Sequence, residues 1–175
     1  MNLYREELIK SMEWLSLKDN TIFLGQNLIY GGIAMAQTFG DIPSSKMIEM
    51  PIAENMQLGI STGLALEGYV PISVYPRWNF LLLAADQLVN HLDKISIMTD
   101  ETYRPKVIIR VASGVKGVID PQEQHVGDFS EAFRTMLKTV EIVNLKTADQ
   151  IFPAYKNAYE RNDGRSTILV EEHQF

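Results

Sequence analysis

Apolar positions along this chain follow two periods, and their alternation reads as short buried strands separated by helices. Residues 3–19 place Tyr4, Leu8, Met12 and Leu15 on one helical stripe, with Glu6, Lys10 and Glu13 off it. Residues 21–25 form an uninterrupted apolar run after Asp19-Asn20, as expected of a strand covered on both faces. A Gly31-Gly32 turn opens a short helix that ends near Gly40, and 46–49 is a weaker strand closed by Pro51. The 54–68 stretch reads as helix, with Gly59 and Gly63 inside it, and 70–75 as strand between Pro71 and Pro76. The longest periodic segment, 79–98, predicts a helix with Leu82, Ala85, Leu88, Val89, Leu92 and Ile95 on one face. A β-branched strand at 106–112 and a loop rich in Gly, Pro and charge at 113–128 follow. The remainder reads as helix 129–137, strand 140–143, helix 147–161 and strand 167–170.

About six strands alternating with helices predict an α/β fold of three layers, α/β/α, with a mostly parallel sheet. Parallel strands need crossover connections, and helices supply them with a right-handed sense. With no internal repeat or linker, residues 1–175 are expected to form a single domain. Ligands of open parallel sheets bind beyond the carboxyl ends of the strands. That places four loops in play, at 26–32, 50–54, 76–79 and 113–128, of which only the last is long for such a connection.

Composition narrows the chemistry. Apolar residues make up 46% and charged residues 22% of the 175, a globular balance that excludes wholesale disorder. Lys plus Arg (16) against Asp plus Glu (22) leaves a net charge of −6, which disfavours nucleic-acid and anionic-membrane partners. The absence of cysteine excludes disulfides, thiolate metal sites and a Cys nucleophile. No apolar run approaches the roughly 18 residues of a membrane span, and the charged N-terminal stretch lacks a signal-peptide core, so a cytoplasmic location is expected. The common Gly-rich phosphate loops and the GxSxG elbow are missing, and His91, His125 and His173 show no metal spacing. His91 reads as a solvated residue of the long helix and His173 as tail.

A few residues stand out. Glu54 opens a helix directly after a strand, where the helix dipole alone would favour it. Glycine costs a helix interior about 1 kcal/mol against alanine. Gly59 and Gly63 therefore suggest close backbone approach, either to the helix's own sheet or to another subunit. The aromatics of Tyr75-Pro-Arg-Trp-Asn-Phe80 gather at the end of a strand, as a core lid or as a stacking platform for a flat heterocycle. His125, on the long polar loop, is either solvated or an acid/base candidate.

The run from Pro51 to Lys94, PIAENMQLGISTGLALEGYVPISVYPRWNFLLLAADQLVNHLDK, resembles the pyrimidine-binding domain of thiamine-diphosphate enzymes. The likeness is to the E1 β subunit of 2-oxo-acid dehydrogenases and to the central domain of transketolase. The Gly25–Gly32 turn, Gln124-His125 and the acidic end of Leu169-Val-Glu-Glu172 agree with it. The resemblance implies that Glu54 hydrogen-bonds the pyrimidine ring nitrogen and promotes ylid formation by the cofactor. It implies that Phe80 stacks on that ring beside Pro76, and that His125 faces substrate. It further implies thiamine diphosphate, and Mg²⁺ held mainly by another chain, as cofactors for carbon–carbon cleavage or ligation on a 2-oxo acid or ketose.

Departures sharpen the expectation. Gln26 stands where the family carries an acidic residue, and Pro76 and Leu83 replace other pocket types. Arg77 is unusual there, facing an anionic substrate or a partner carboxylate. These changes leave carboligase or transketolase-like activity open beside that of an oxo-acid dehydrogenase. The Gly-Asp-Gly…Asn motif of the diphosphate-binding domain is missing, since Gly-Asp occurs only at Gly40-Asp41 and Gly127-Asp128. The diphosphate-binding and C-terminal transketolase domains are thus expected on other chains. Such a subunit would pair with a diphosphate-binding partner as a homodimer or α₂β₂ assembly, with the glycine face of the Glu54 helix buried between them. A noncatalytic or regulatory subunit that keeps the fold, and a flavodoxin-like small-ligand module, are the alternatives.

Overall fold

The computed structural model describes residues 2–114 and 122–172, so His173 and part of the 113–128 loop lie outside the described residues. Six strands form one sheet: β1 (Thr21–Gly25), β2 (Met47–Glu49), β3 (Val70–Tyr75), β4 (Ile108–Ser113), β5 (Glu141–Leu145) and β6 (Thr167–Glu172). Their order is β2-β1-β3-β4-β6-β5, and every neighbouring pair is parallel. The expected α/β class and mostly parallel sheet are therefore found, with no antiparallel pair among the described strands.

Helices α1 (Leu3–Ser16), α2 (Glu54–Leu66), α3 (Trp78–Leu81), α4 (Ile95–Met98), α5 (Ser130–Met136) and α6 (Ala148–Glu160) flank the sheet. Side chains alternate across each strand, so the sheet feeds two cores. On one face Phe23, Ile72, Ile108 and Leu169 meet Leu8, Met12 and Leu15 of α1 and Ile151 of α6. On the other, Ile109, Val111 and Val170 meet Leu58 of α2, Leu81 of α3 and Phe133 of α5. Burying each such side chain contributes about 1.5–3 kcal/mol relative to leaving it exposed. The stripe predicted for the first helix (Tyr4, Leu8, Met12, Leu15) is fully buried.

The connections obey one rule. From β2 to β3, β3 to β4 and β4 to β5 the chain moves in one direction along the sheet, carrying α2, α3 and α5 over one face. From β1 to β2 and from β5 to β6 it moves back, over the face that holds Phe39 and α6. Right-handed crossovers require this division. Because the connections after neighbouring β1 and β3 depart to opposite faces, a crevice opens between the carboxyl ends of these two strands. Gly25 suits that place, since a Cβ there would stand 3.0 Å from the Val74 carbonyl oxygen of β3.

One expected element is corrected. The single helix read at 79–98 is broken into α3, a 3₁₀ turn at Leu82–Ala84, a π turn at Gln87–Leu92 and then α4. The buried line nevertheless runs through Trp78, Leu81, Ala84, Leu88 and Leu92 at spacings of three and four, as in a continuous helix, while Leu82 at its margin is left 39% exposed. The apolar period alone therefore does not reveal the changes of winding. Smaller differences concern ends: the helix after Gly31-Gly32 is only a 3₁₀ turn at Ala34–Thr38, and the fifth strand runs on to Leu145.

Candidate functional site

All six strands point the same way, so the loops after β1, β2, β3 and β4 leave a common edge of the sheet. Glu54, Pro76, Arg77, Phe80 and His125 lie at that edge, whereas Gly59 and Gly63 lie farther along the helix that Glu54 opens. Glu54 is the first residue of α2, just beyond β2, where its negative charge complements the helix dipole and Ala53 supplies no capping side chain. The helix is seated by Gln57, whose Nε2 lies 3.0–3.3 Å from the Leu24 and Val74 carbonyls and the Ser73 hydroxyl. Tyr75, the last residue of β3, donates its hydroxyl to the Glu54 carbonyl oxygen at 3.4 Å. Burial pushes that hydroxyl well above the usual tyrosine range, and the charge of Glu54 acts in the same direction. The Glu54 carboxylate, half-buried, therefore stands by the end of β3.

The aromatic cluster divides. Tyr75 is fully buried, and Trp78 is stacked on Phe133 with ring centroids 5.2 Å apart. Both belong to the core. Phe80 alone stays half-buried at the edge, and it meets His125 edge-on, with centroids 5.7 Å apart and planes at 81°. Residues distant in sequence are thus neighbours: Pro76, Arg77 and Phe80 follow β3, and His125 returns from the connection after β4. Arg77 directs its Nη1 to the backbone carbonyl of His125 at 3.0 Å, and burial lowers the guanidinium below its ordinary value.

Sequence reasoning passed over three residues here. Asn79 Oδ1 is buried and has no hydrogen-bond partner among the described residues, an orphaned acceptor beside Phe80. Glu49, at the end of β2, accepts from the Asn27 and Ile29 backbone N–H groups and so shapes the loop after β1, in which Asn27 takes a positive φ of 56°. Gln57 reads in sequence as one more polar helix residue; only its burial shows its part. A separate open depression of about 570 Å³, lined among others by Leu28, Gly31, Phe39 and Met47, contains none of the predicted site residues.

The glycines of α2 look outward. The sheet side of this helix is Gln57, Leu58, Ser61, Thr62 and Ala65. A Cβ on Gly63 would meet nothing within 4 Å, and one on Gly59 would meet only the Gln87 side chain, at 3.5 Å. Packing on the helix's own sheet explains neither. Met56 and Ile60, on the same outer side, are 46% and 38% exposed.

Residues 10–174 match the family described as transketolase, pyrimidine binding domain. The chain belongs to that family. As a pyrimidine-binding domain it is 30% identical over 125 residues to the 3-methyl-2-oxobutanoate dehydrogenase subunit beta of Mycobacterium tuberculosis, covering 68% of this chain and 34% of that protein. It is 31% identical over 118 residues to the chloroplastic pyruvate dehydrogenase E1 component subunit beta-3 of Oryza sativa, covering 63% of this chain and 28% of that one. The mitochondrial E1 subunit beta of Saccharomyces cerevisiae is 29% identical over 133 residues, covering 72% and 35%. This pyrimidine-binding domain spans about a third of the length of the curated relatives it matches. Among solved structures, a split gene transketolase described as an inactive beta4 tetramer superposes with a TM-score of 0.72 at 16% identity, over 98% of this chain and 51% of the other. That likeness establishes the fold. No helix among the described residues is long and apolar enough to cross a membrane.

Proposed function

We propose that this chain is the pyrimidine-binding half of a thiamine-diphosphate enzyme that makes or breaks a carbon–carbon bond next to the carbonyl of a 2-oxo acid or ketose. One observation carries the reading: a half-buried carboxylate (Glu54), a half-buried aromatic ring (Phe80) and an orphaned buried acceptor (Asn79 Oδ1) share one edge of the sheet. Those two acceptors and a ring face suit a flat heterocycle with N–H groups at its rim. Glu54, Phe80 and Asn79 would hold it, with Pro76 at its side.

When bound, thiamine diphosphate would supply an acidic carbon and an electron sink for carbon–carbon chemistry next to a carbonyl. The chain's own residues do the rest. Glu54 would hydrogen-bond the pyrimidine ring nitrogen and hold a proton there, the role of a carboxyl group placed at that rim. Phe80 covers the ring face and excludes water, and the His125 imidazole exchanges protons with the substrate carbonyl oxygen. Mg²⁺ and the diphosphate would be held mainly by a partner chain. The relatives' names as β subunits and the outward glycines of α2, with Met56 and Ile60 beside them, support such an assembly.

Co-expression with a chain that carries the Gly-Asp-Gly…Asn motif of a diphosphate-binding domain provides the test. The assembled pair should turn over 2-oxo acids or ketoses with thiamine diphosphate and Mg²⁺, and this chain alone should not. Glu54→Gln should lower kcat/KM by about 10²–10⁴-fold while leaving assembly intact. Full activity of Glu54→Gln in an active complex overturns the catalytic role. An assembled complex that is equally inert with either residue would instead favour a noncatalytic subunit.

A further inference from the structure

The backbone carbonyl of His125 is confined from two sides. Arg77 Nη1 donates to it at 3.0 Å. Gly114 approaches so closely that a methyl group on its Cα would overlap that carbonyl oxygen and the Val126 backbone. Arg77 lies two residues beyond the end of β3, Gly114 directly follows β4, and these strands are neighbours. The chain returning from the β4 connection is therefore closed onto two adjacent strand ends. At Gly127 the fit continues, since a Cβ there would come within 2.6 Å of the Phe129 ring.

The consequence falls on the His125 side chain. With its carbonyl held, its ring stands edge-on to Phe80. The backbone at Arg77 is extended (φ −151°, ψ 152°), and its side chain makes no cap for α3. Its Nη1 is committed to the carbonyl. A guanidinium stays protonated across the whole working pH range, so the tether does not titrate. A charge-assisted donor at half-buried depth is also stronger than a neutral one.

We propose that Arg77 is a positioning residue: by holding the His125 carbonyl against Gly114, it fixes where the His125 imidazole stands relative to Phe80 and to a substrate carbonyl beyond it. The second half of this statement rests on the function proposed above. The tether and the ring contact do not.

The test reads the two separately. In the full chain, NMR signals of the His125 ring protons are compared with those of Phe80→Leu, which removes the ring current. Arg77→Met should move the His125 signals most of the way to their Phe80→Leu positions, and Arg77→Lys should largely restore them. Gly114→Ala, which forces the carbonyl away, should act like Arg77→Met, and a thermal melt on each variant separates displacement from unfolding. In the assembled enzyme, Arg77→Met should lower kcat/KM by up to about 10²-fold with cofactor affinity unchanged, the signature of a misplaced group. His125 signals that shift with Phe80→Leu but not with Arg77→Met in folded protein overturn the tether, as do signals indifferent to both. A tether that behaves as stated in a complex indifferent to Glu54→Gln overturns the thiamine reading and leaves the tether standing.

Discussion

Arg110 and Glu171 sit back to back in neighbouring strands, both wholly buried, with Arg110 Nε 2.6 Å and Nη2 2.9 Å from the two carboxylate oxygens. Tyr155 adds its hydroxyl to the same carboxylate at 2.5 Å, and Arg110 lies over the Phe39 ring. Burial alone would pull the guanidinium down, but the charge and hydrogen bonds of Glu171, with Tyr155 and Tyr4 beside it, together reverse the effect and hold Arg110 above its ordinary value. Such a pair contributes little beyond what apolar residues would, yet halving it strands a charge. Glu171→Gln should lower the unfolding free energy by about 3–5 kcal/mol in urea titrations, and Arg110→Met with Glu171→Leu should recover most of the loss. None of this was legible in sequence. Arg110 is one cation in a β-branched run, and its partner lies 61 positions away. The places of Glu54 and Phe80 beyond strand ends were legible, because a carboxylate follows one strand and an aromatic the next.

At the scale of elements, the π turn between β3 and β4 is followed by Asp93, whose side chain is fully buried. Its carboxylate accepts from the backbone N–H groups of Lys138, Thr139 and Val140, pinning α4's approach to the α5–β5 connection. Burial would raise its pKa, but the Lys94 ammonium and those three N–H groups reverse the effect and hold it below the usual carboxylate range. Its stabilising effect is therefore complete above the unfolded value of about 4 and disappears as pH falls through the lower folded value. Asp93→Ala should cost about 3 kcal/mol at pH 7, from the donors left unpaired. The gap to wild type should shrink as acid protonates the wild-type group, and urea midpoints at pH 7 and below 4 measure it. Asp163, brought down to about 2 by the Arg161 guanidinium, adds a weaker acid-side contribution of the same sign because it is half exposed. The strand and helix types at 21–25, 54–66 and 70–75 could be read from pattern; the π turn could not, because its buried residues Leu88 and Leu92 keep the spacing of an ordinary helix.

For the whole molecule, the open question is what covers the outer side of α2. The glycines argue for a backbone-close partner, and a single substitution separates the isolated chain from the assembly. Gly63→Ala meets nothing in this chain, so it should raise the stability of the isolated protein by about 0.5–1 kcal/mol through helix propensity. Gly63→Leu should leave the isolated chain folded and, if α2 faces the proposed diphosphate-binding chain, reduce co-purification with it. Thermal melts and size-exclusion chromatography with light scattering read the two effects. Equal assembly by both variants would move the interface elsewhere.

What the amino-acid order determines by itself is the local grammar: which segments are strands or helices, their alternation, and hence a parallel sheet with its loops along one edge. Periodicity and punctuation express these features over ten or twenty residues, within reach of short-range physics. Only the tertiary structure decides which of three aromatics stays out of the core, that His125 stands against Phe80, and where Arg110 and Asp93 find their partners. Those outcomes depend on which buried polar groups can be paired once the layers close, and that competition is settled across 45 to 61 positions of chain.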